Sequence, residues 1–253
     1  MKYNITIGWL YPELMSTYGD RGNILVLQKR AQWRGIEVKI LPISFTTPLS
    51  SINKIDLLFG GGAQDKEQEI LISDLRDKKG TTIKNLIEKN IPSLFVCGSP
   101  QLMGNFYEPA VGKRIKGLGI FNVDTIHPEN ENHRLIGNII GKIQIPELKN
   151  ELVVGFENHG GRSYLKDSTL PFAKVIKGFG NNGHDKTEGM IYKNAIGCYF
   201  HGPLLPKNPK IADFLLKKAL EVKYNKKITL DELDDFLESK AQKAIANKLG
   251  TAL

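Results

Sequence analysis

Leu94-Phe95-Val96-Cys97-Gly98-Ser99-Pro100-Gln101 decides the fold. The mostly apolar run Ile91 to Val96 reads as a short buried strand, and a helix is expected from about Pro100. A cysteine between them stands over a helix N-terminus, where unpaired N–H groups and the helix dipole favour thiolate over thiol. The same sharp turn carries the nucleophile of α/β-hydrolases, and the residue after it donates to an oxyanion. A cysteine is also among the most commonly buried side chains, so Cys97 becomes a nucleophile only if a base, an oxyanion hole and a substrate pocket accompany it.

Two other strand ends supply such groups. Ala195-Ile196-Gly197-Cys198-Tyr199-Phe200-His201-Gly202-Pro203 reads as a strand running into His201 and stopped by Gly-Pro. That puts the histidine at a carboxyl end, where open parallel sheets build their sites. Leu57-Leu58-Phe59-Gly60-Gly61-Gly62-Ala63-Gln64-Asp65 is a buried strand opening into three glycines, whose backbone can turn N–H groups toward a ligand. Glu67 and Gln68 follow at a helix start and are expected to cap or orient that loop.

The rest of the chain alternates strand and helix. Residues 3–9, Glu37–Leu41 and Asp56–Phe59 read as strands. Gly22–Arg34 reads as a helix stopped by Gly35, and Ser73–Asn90 as largely helical with a break near Gly80. This order implies a mostly parallel sheet with helices on both faces. Residues 110–200 are richer in glycine and in short β-like runs, which points to an added antiparallel section. A helix is expected from Ile211 to about Tyr224, and a second from an N-cap at Thr229, with Glu232 in the capping-box position, to Lys248. In that second helix Leu233, Phe236, Leu237 and Ala241 share a face that could pack on the chain itself, the favoured reading, or on a partner.

Composition sets limits. The 253 residues suffice for one large core, with 41% hydrophobic and 25% charged residues. Two cysteines give no disulfide framework. The N-terminus lacks a signal-peptide core, and no apolar run approaches a membrane span, so a cytoplasmic protein is expected. The net charge of +8 comes from scattered lysines without a basic stripe or aromatic RNA-binding run. It reads as a solvated surface, with no nucleic-acid partner.

Together these fragments resemble the class I (triad-type) glutamine amidotransferases. The branch is that of the cobyric acid synthase glutaminase domain and of the glutaminase subunits of lipid II isoglutaminyl synthases. The marks are Tyr18-Gly19-Asp20-Arg21-Gly22-Asn23, Gly60–Gln68, Val96-Cys97-Gly98, Asn132-His133-Arg134-Leu135-Ile136-Gly137, Val154–Arg162, Gly178-Phe179-Gly180-Asn181-Asn182 and Tyr199–Pro203, collinear from about residue 5 to 215. Gly155-Phe156-Glu157-Asn158-His159-Gly160-Gly161-Arg162 is the most specific of them. The resemblance implies a flavodoxin-like three-layer α/β fold, with a glutaminase domain over residues 1–220 and a C-terminal helical extension over 221–253. It implies Cys97 as nucleophile, His201 as base, backbone N–H groups of Gly61, Gly62 and Gly98 as the oxyanion hole, and no metal. Arg134 is implied as the ligand of the glutamine carboxylate, a role its planar fork suits. His159 reads as structural or substrate-adjacent.

The resemblance further implies L-glutamine as substrate and a Mur-ligase-like synthetase subunit as partner. That partner would use ATP and magnesium to amidate the D-glutamate α-carboxyl of lipid II, and could hold this chain at the inner membrane face. The chain itself needs no cofactor and carries no GxxxxGK[ST] motif. One departure stands out. Most class I glutaminases carry an acid two residues after the histidine, and Pro203 occupies that position. The resemblance implies that the synthetase partner supplies the acid, with Glu157 or Asp185 as candidates within the chain. Three other readings remain: a glutaminase for another synthetase, such as a cobyrinate-type amidase; a non-catalytic subunit that stabilises a ligase; and a cysteine protease, for which no peptide-binding signature is present.

Overall fold

The computed structural model describes residues 2–128, 134–149 and 151–251. Asn132 and His133 of the Asn-His-Arg string lie outside the described residues; Arg134 lies within them. The strands are β1 (Asn4–Leu10), β2 (Glu37–Ile43), β3 (Leu57–Gly60), β4 (Ser93–Val96), β5 (Phe106–Glu108), β6 (Ile115–Lys116), β7 (Val123–Ile126), β8 (Leu135–Ile143), β9 (Leu152–His159), β10 (Arg162–Leu165), β11 (Ala173–Lys177), β12 (Thr187–Glu188), β13 (Met190–Tyr192) and β14 (Ala195–Cys198). The helices are α1 (Arg21–Trp33), α2 (Leu49–Ile52), α3 (Asp65–Ser73), α4 (Gly80–Glu88), α5 (Gly98–Met103), α6 (Pro209–Tyr224) and α7 (Phe236–Lys248).

The main sheet has the order β13-β14-β4-β3-β1-β2. Every pairing in it is parallel except β13 with β14. β3 and β4 are buried along their whole length, as strands covered on both faces must be. Their side chains divide between two cores: Leu57, Phe59, Leu94 and Val96 pack with α1 and α6, while Leu58 and Phe95 pack with α2 to α5. That is the three-layer arrangement the alternation of elements predicts. The middle of the chain forms two further four-stranded sheets, β10-β7-β5-β6 and β12-β11-β8-β9, in which all pairings but β5 with β7 are antiparallel.

Three local expectations change. The helix after the glycine loop starts at Asp65, and no break occurs at Gly80; a π-helical stretch, Asp74–Lys79, joins α3 to α4 there. Of the run Lys116–Ile120, only Lys116 belongs to a strand. The last helix begins at Phe236, not near Thr229. Arg30 and Arg34 explain this. Arg30 binds the Asp235 carboxylate at 2.6 Å, and Arg34 Nε donates to the Asp231 carbonyl at 2.6 Å. Both anchors hold residues before Phe236 as an irregular strap across α1. The helix then packs on its own chain, but through Ile245, Ala246 and Leu249 against Ile140 and Val154. The expected face stays outside, with Phe236 67% and Leu237 73% exposed. Among the described residues, no helix is long and apolar enough to cross a membrane.

Candidate active site

β4 delivers Cys97 and α5 begins at the next residue. Cys97 adopts φ 57° and ψ −102°, a left-handed conformation costly for a residue with a β-carbon and typical of functional turns. Its amide donates to the Cys198 carbonyl at 2.8 Å. Gly98 has no room for a side chain, since a Cβ there would lie 2.6 Å from the Ala63 carbonyl and 2.8 Å from the Ala63 nitrogen. The glycine turn after β3 is thus pressed against the start of α5.

β14 runs beside β4 in parallel, with Cys198 opposite Val96. The strand ends at Cys198, and His201 lies three residues beyond it. A separate bridge holds His201 in place: its N–H donates to the Phe156 carbonyl at 2.7 Å. The imidazole is 1% exposed, and the Tyr18 ring meets it edge-on, centroids 4.9 Å apart. Burial by itself disfavours the imidazolium. The electrostatic interaction with adjacent Cys97, followed by that with Asp20, outweighs it and holds the pKa at about 10.

One carboxylate of this chain faces His201. Asp20, fully buried at the start of α1, places Oδ1 3.6 Å from His201 Nδ1. Glu157 and Asp185 are engaged elsewhere. Glu157 accepts the N–H groups of Phe179 and Gly180 at 2.7 and 2.8 Å. Asp185 accepts from Thr187 and Asn182. Sequence reasoning missed Asp20 because an aspartate before a helix reads as an N-cap. Here its side chain makes no capping bond and turns toward the sheet instead.

The N–H groups of the expected oxyanion hole differ in what they meet. The Gly62 N–H already donates to Asp20 Oδ2 at 2.6 Å, so it is spent. The Gly61 and Gly62 carbonyls accept from Ser99 Oγ at 2.6 Å and Thr17 Oγ1 at 3.0 Å. Neither Gly61 nor Gly62 lines the cavity in front of Cys97; Ala63 does. Among the described residues, the Ala63 N–H has no acceptor. The Gly98 N–H opens α5, where helical N–H groups lack intrahelical partners. Ala63 shares the cavity lining with Cys97, and Gly98 is the residue that follows it. Gln68 orients the turn as expected, donating to the Ala63 carbonyl at 3.1 Å and to Gln101 Oε1 at 2.9 Å.

The cavity has a volume of about 470 Å³ and brings Cys97 together with Ala63, Gln101, His127, Arg134 and His159. Arg134 Nε and Nη2 donate to the side-chain and main-chain oxygens of Asn158, each at 2.8 Å. Asn158 in turn donates to Tyr18 Oη at 2.9 Å. Gly160 beneath them has no space for a Cβ, which would fall 2.9 Å from the His127 ring and 3.5 Å from Arg134 Nη1. His159 is buried and stacks on Tyr199 with centroids 3.8 Å apart. Burial pushes its pKa down, which suits a neutral wall of the cavity.

Residues 6–209 match the CobB/CobQ-like glutamine amidotransferase domain. The GatD subunit of the glutamine-hydrolysing lipid II isoglutaminyl synthase of Streptococcus pneumoniae R6 is 42% identical over 235 residues, 93% of this chain and 88% of that one. Its Staphylococcus aureus N315 counterpart is 40% identical over 221 residues, 87% of this chain and 86% of that one. A probable cobyric acid synthase of Methanothermobacter thermautotrophicus is 30% identical over 125 residues, only 24% of that protein. Among solved structures, a glutamine amidotransferase from Thermotoga maritima superposes with a TM-score of 0.53 at 16% identity, covering 96% of this chain and 94% of that one, which speaks to the fold. The chain belongs to the CobB/CobQ-like glutamine amidotransferases and, within them, to the family of the GatD subunits.

Proposed function

We propose that this chain is the glutamine-hydrolysing subunit of a lipid II isoglutaminyl synthase, with Cys97 as nucleophile and His201 as its acid–base partner. The observation that carries the reading is the Cys97 turn: a strained cysteine close to a buried histidine, opening on a cavity that also holds an arginine. In this reading Arg134 binds the glutamine α-carboxylate. The Cys97 sulfur attacks the side-chain amide carbon, and the N–H groups of Gly98 and Ala63 hold the oxyanion. His201 protonates the departing nitrogen, so ammonia leaves as the C–N bond breaks. Water, deprotonated by His201, then cleaves the thioester, releasing glutamate and restoring the thiol. The products are one glutamate and one ammonia for each glutamine and water.

The ammonia serves a Mur-ligase-like synthetase subunit that holds ATP and magnesium and amidates the D-glutamate α-carboxyl of the lipid II stem peptide. Both subunits work in the cytoplasm, at the inner membrane face where that substrate is anchored, and the chain divides into a glutaminase domain over 1–220 and a C-terminal extension over 221–253. A cobyrinate-type role is the weaker reading, since the similarity there covers about a quarter of the synthase, against 88% of the S. pneumoniae subunit. The test is amidation of lipid II by the chain with the synthetase that copurifies with it, fed glutamine and ATP. Wild type is expected to amidate with either glutamine or ammonium, and Cys97→Ala with ammonium alone. Glutamine-driven amidation by Cys97→Ala would overturn the reading.

A further inference from the structure

We infer that Asp65 holds the α-ammonium group of the bound amino acid, which makes the site selective for free glutamine over amides that lack that charge. The inference deepens the glutaminase reading and rests on it. Besides its reacting amide, glutamine brings two charges into the cavity, a carboxylate and an ammonium. In that reading Arg134 answers the first. The second calls for a carboxylate, because a charge taken out of water is costly unless it is paired. Of the described residues that line the cavity, Asp65 alone carries one.

The carboxylate is held in place but not used up. Asp65 opens α3 just after Ala63 and Gln64, so the turn that carries the Ala63 N–H also delivers this side chain. Tyr107 Oη donates to Asp65 Oδ1 at 2.8 Å. Tyr107 is buried on β5, and burial together with the Asp65 charge pushes its phenol well above the ordinary value, so it stays a donor. Among the described residues, Asp65 enters no ion pair and its Oδ2 has no hydrogen-bond partner. Nor is Oδ2 among the buried unpaired atoms, so it remains accessible from the cavity. The first turn of α3 tolerates this anion without a cation beside it, because the helix dipole favours negative charge there. The main-chain oxygens of the same walls are engaged: that of Ala63 accepts from Gln68 at 3.1 Å, that of Gly160 from Arg162 at 2.7 Å, and that of Gly161 lies 2.8 Å from His159 Nδ1. Gln68 Oε1 is unpaired, but it is buried and uncharged. An ammonium entering the cavity therefore meets one carboxylate oxygen without a partner. Cys97, Arg134 and Asp65 then fix the amide, the carboxylate and the ammonium of one amino acid.

The test compares L-glutamine with glutaramate, which keeps the carboxylate and the amide but has no amino group. Ammonia release is measured for the chain in complex with the synthetase that copurifies with it. Asp65→Asn keeps an oxygen for Tyr107 and removes the charge. The unaltered protein is expected to prefer glutamine by at least about 10-fold in kcat/KM, the weight of a hydrogen bond to a charged group. Asp65→Asn should lower kcat/KM for glutamine about 10- to 100-fold and leave that for glutaramate within about twofold, so the preference collapses. Retained use of glutaramate also shows that the variant is folded and its thiol competent. Where glutaramate turns over too slowly to measure, its Ki against glutamine gives the same comparison. An equal fall with both compounds would make Asp65 a support of the turn and overturn the proposal, as would an unchanged kcat/KM for glutamine. The glutaminase reading fails separately, without any change at Asp65: no ammonia from glutamine, or release that survives Cys97→Ala, would overturn it and this inference together.

Discussion

The Cys97 amide donates to the carbonyl of Cys198 at 2.8 Å, so the chain's two cysteines are joined through backbone while their thiols serve different environments. Cys97 opens on the cavity. Cys198 is fully buried in the core, and burial raises its thiol well above the ordinary range. Iodoacetamide at neutral pH should therefore label Cys97 alone in the folded protein, read by mass spectrometry. Cys97→Ser should abolish ammonia release. Cys198→Ser should keep most of the activity but lose about 1–3 kcal/mol of stability, because a hydroxyl replaces a thiol in an apolar core. Modification of Cys198 at a rate comparable to Cys97 would contradict this division.

Arg134 has two of its donors on Asn158, so in the proposed role it would meet the glutamine carboxylate already oriented. Arg134→Ala should raise KM for glutamine. Truncating one partner of a desolvated charged pair costs roughly 2–5 kcal/mol; Arg134 is exposed without substrate, so the low end applies, a rise of about 30-fold or less. Arg134→Lys should recover little, because a single ammonium cannot reproduce the planar fork. In the complex with the synthetase, ammonium should support amidation by both variants at the wild-type rate. An equal fall with glutamine and with ammonium would mean that Arg134 supports the fold instead of the substrate.

The parts of the site legible in the sequence were those set by local chain direction. An apolar run ending in Cys97-Gly98 and a strand stopped by Gly202-Pro203 each announce a strand end, and parallel neighbours bring such ends together. What stayed hidden was set by partners distant in sequence. Nothing local reveals that the Gly62 N–H is consumed by Asp20, or that Asp20 abandons its capping position to face His201. The strap before α7 failed for the same reason. Thr229 and Glu232 have the spacing of a capping box, but Arg30 on α1 and Arg34 at its end hold Asp235 and Asp231 in the strap before Phe236, and that competition is visible only in the folded chain.

Glu188 gives a pH signature in stability. Its carboxyl is fully buried, and burial is the main cause that pushes its pKa up to about 8. One oxygen accepts the Tyr199 N–H at 2.6 Å, while Oε2 has no partner. The folded state therefore keeps a proton that the unfolded chain releases near the ordinary glutamate range. The stabilisation is complete below that range and is lost as pH rises through about 8. Urea denaturation should show wild type weakening between pH 5.5 and 8.5. Glu188→Gln, which does not titrate, should weaken less over the same interval. Parallel pH profiles for the two proteins would refute a protonated Glu188.

Arg30 should carry more stability than any surface ion pair. Its side chain is 3% exposed, and it binds Asp213 through two bonds of 2.7 Å and Asp235 at 2.6 Å. Hydrogen bonds from Arg30 and Arg34 hold the Asp213 pKa below the usual carboxylate range against the opposing effect of burial. Arg30→Ala should cost about 2–3 kcal/mol, toward the low side for a broken buried pair, because it leaves Asp235 without its charged partner while Asp213 keeps Arg34. Asp235→Ala should cost less and release the strap, making residues 229–235 more sensitive to limited proteolysis. Unchanged proteolysis of Asp235→Ala would show that the Arg34 contact to Asp231 suffices to hold the strap.

Gly22 offers the sharpest test of how the His201 segment is seated. On helix propensity alone, alanine at this partly buried first-turn position should stabilise α1 by up to about 1 kcal/mol. The close approach of Pro203 opposes that. A Cβ 2.4 Å from a rigid proline ring forces one of the two chains to move, and overpacking of this kind costs typically about 1–3 kcal/mol. The clash should win, lowering the melting temperature. Because His201 lies two residues before Pro203, the displacement should also shift it relative to Cys97 and reduce kcat for glutamine more than it changes KM. Gly137→Ala is the control: a Cβ at Gly137 meets nothing within 4 Å, so stability and activity should be unchanged or slightly improved. A Gly22→Ala protein as stable and active as the control would show that Pro203 does not fix the histidine through α1.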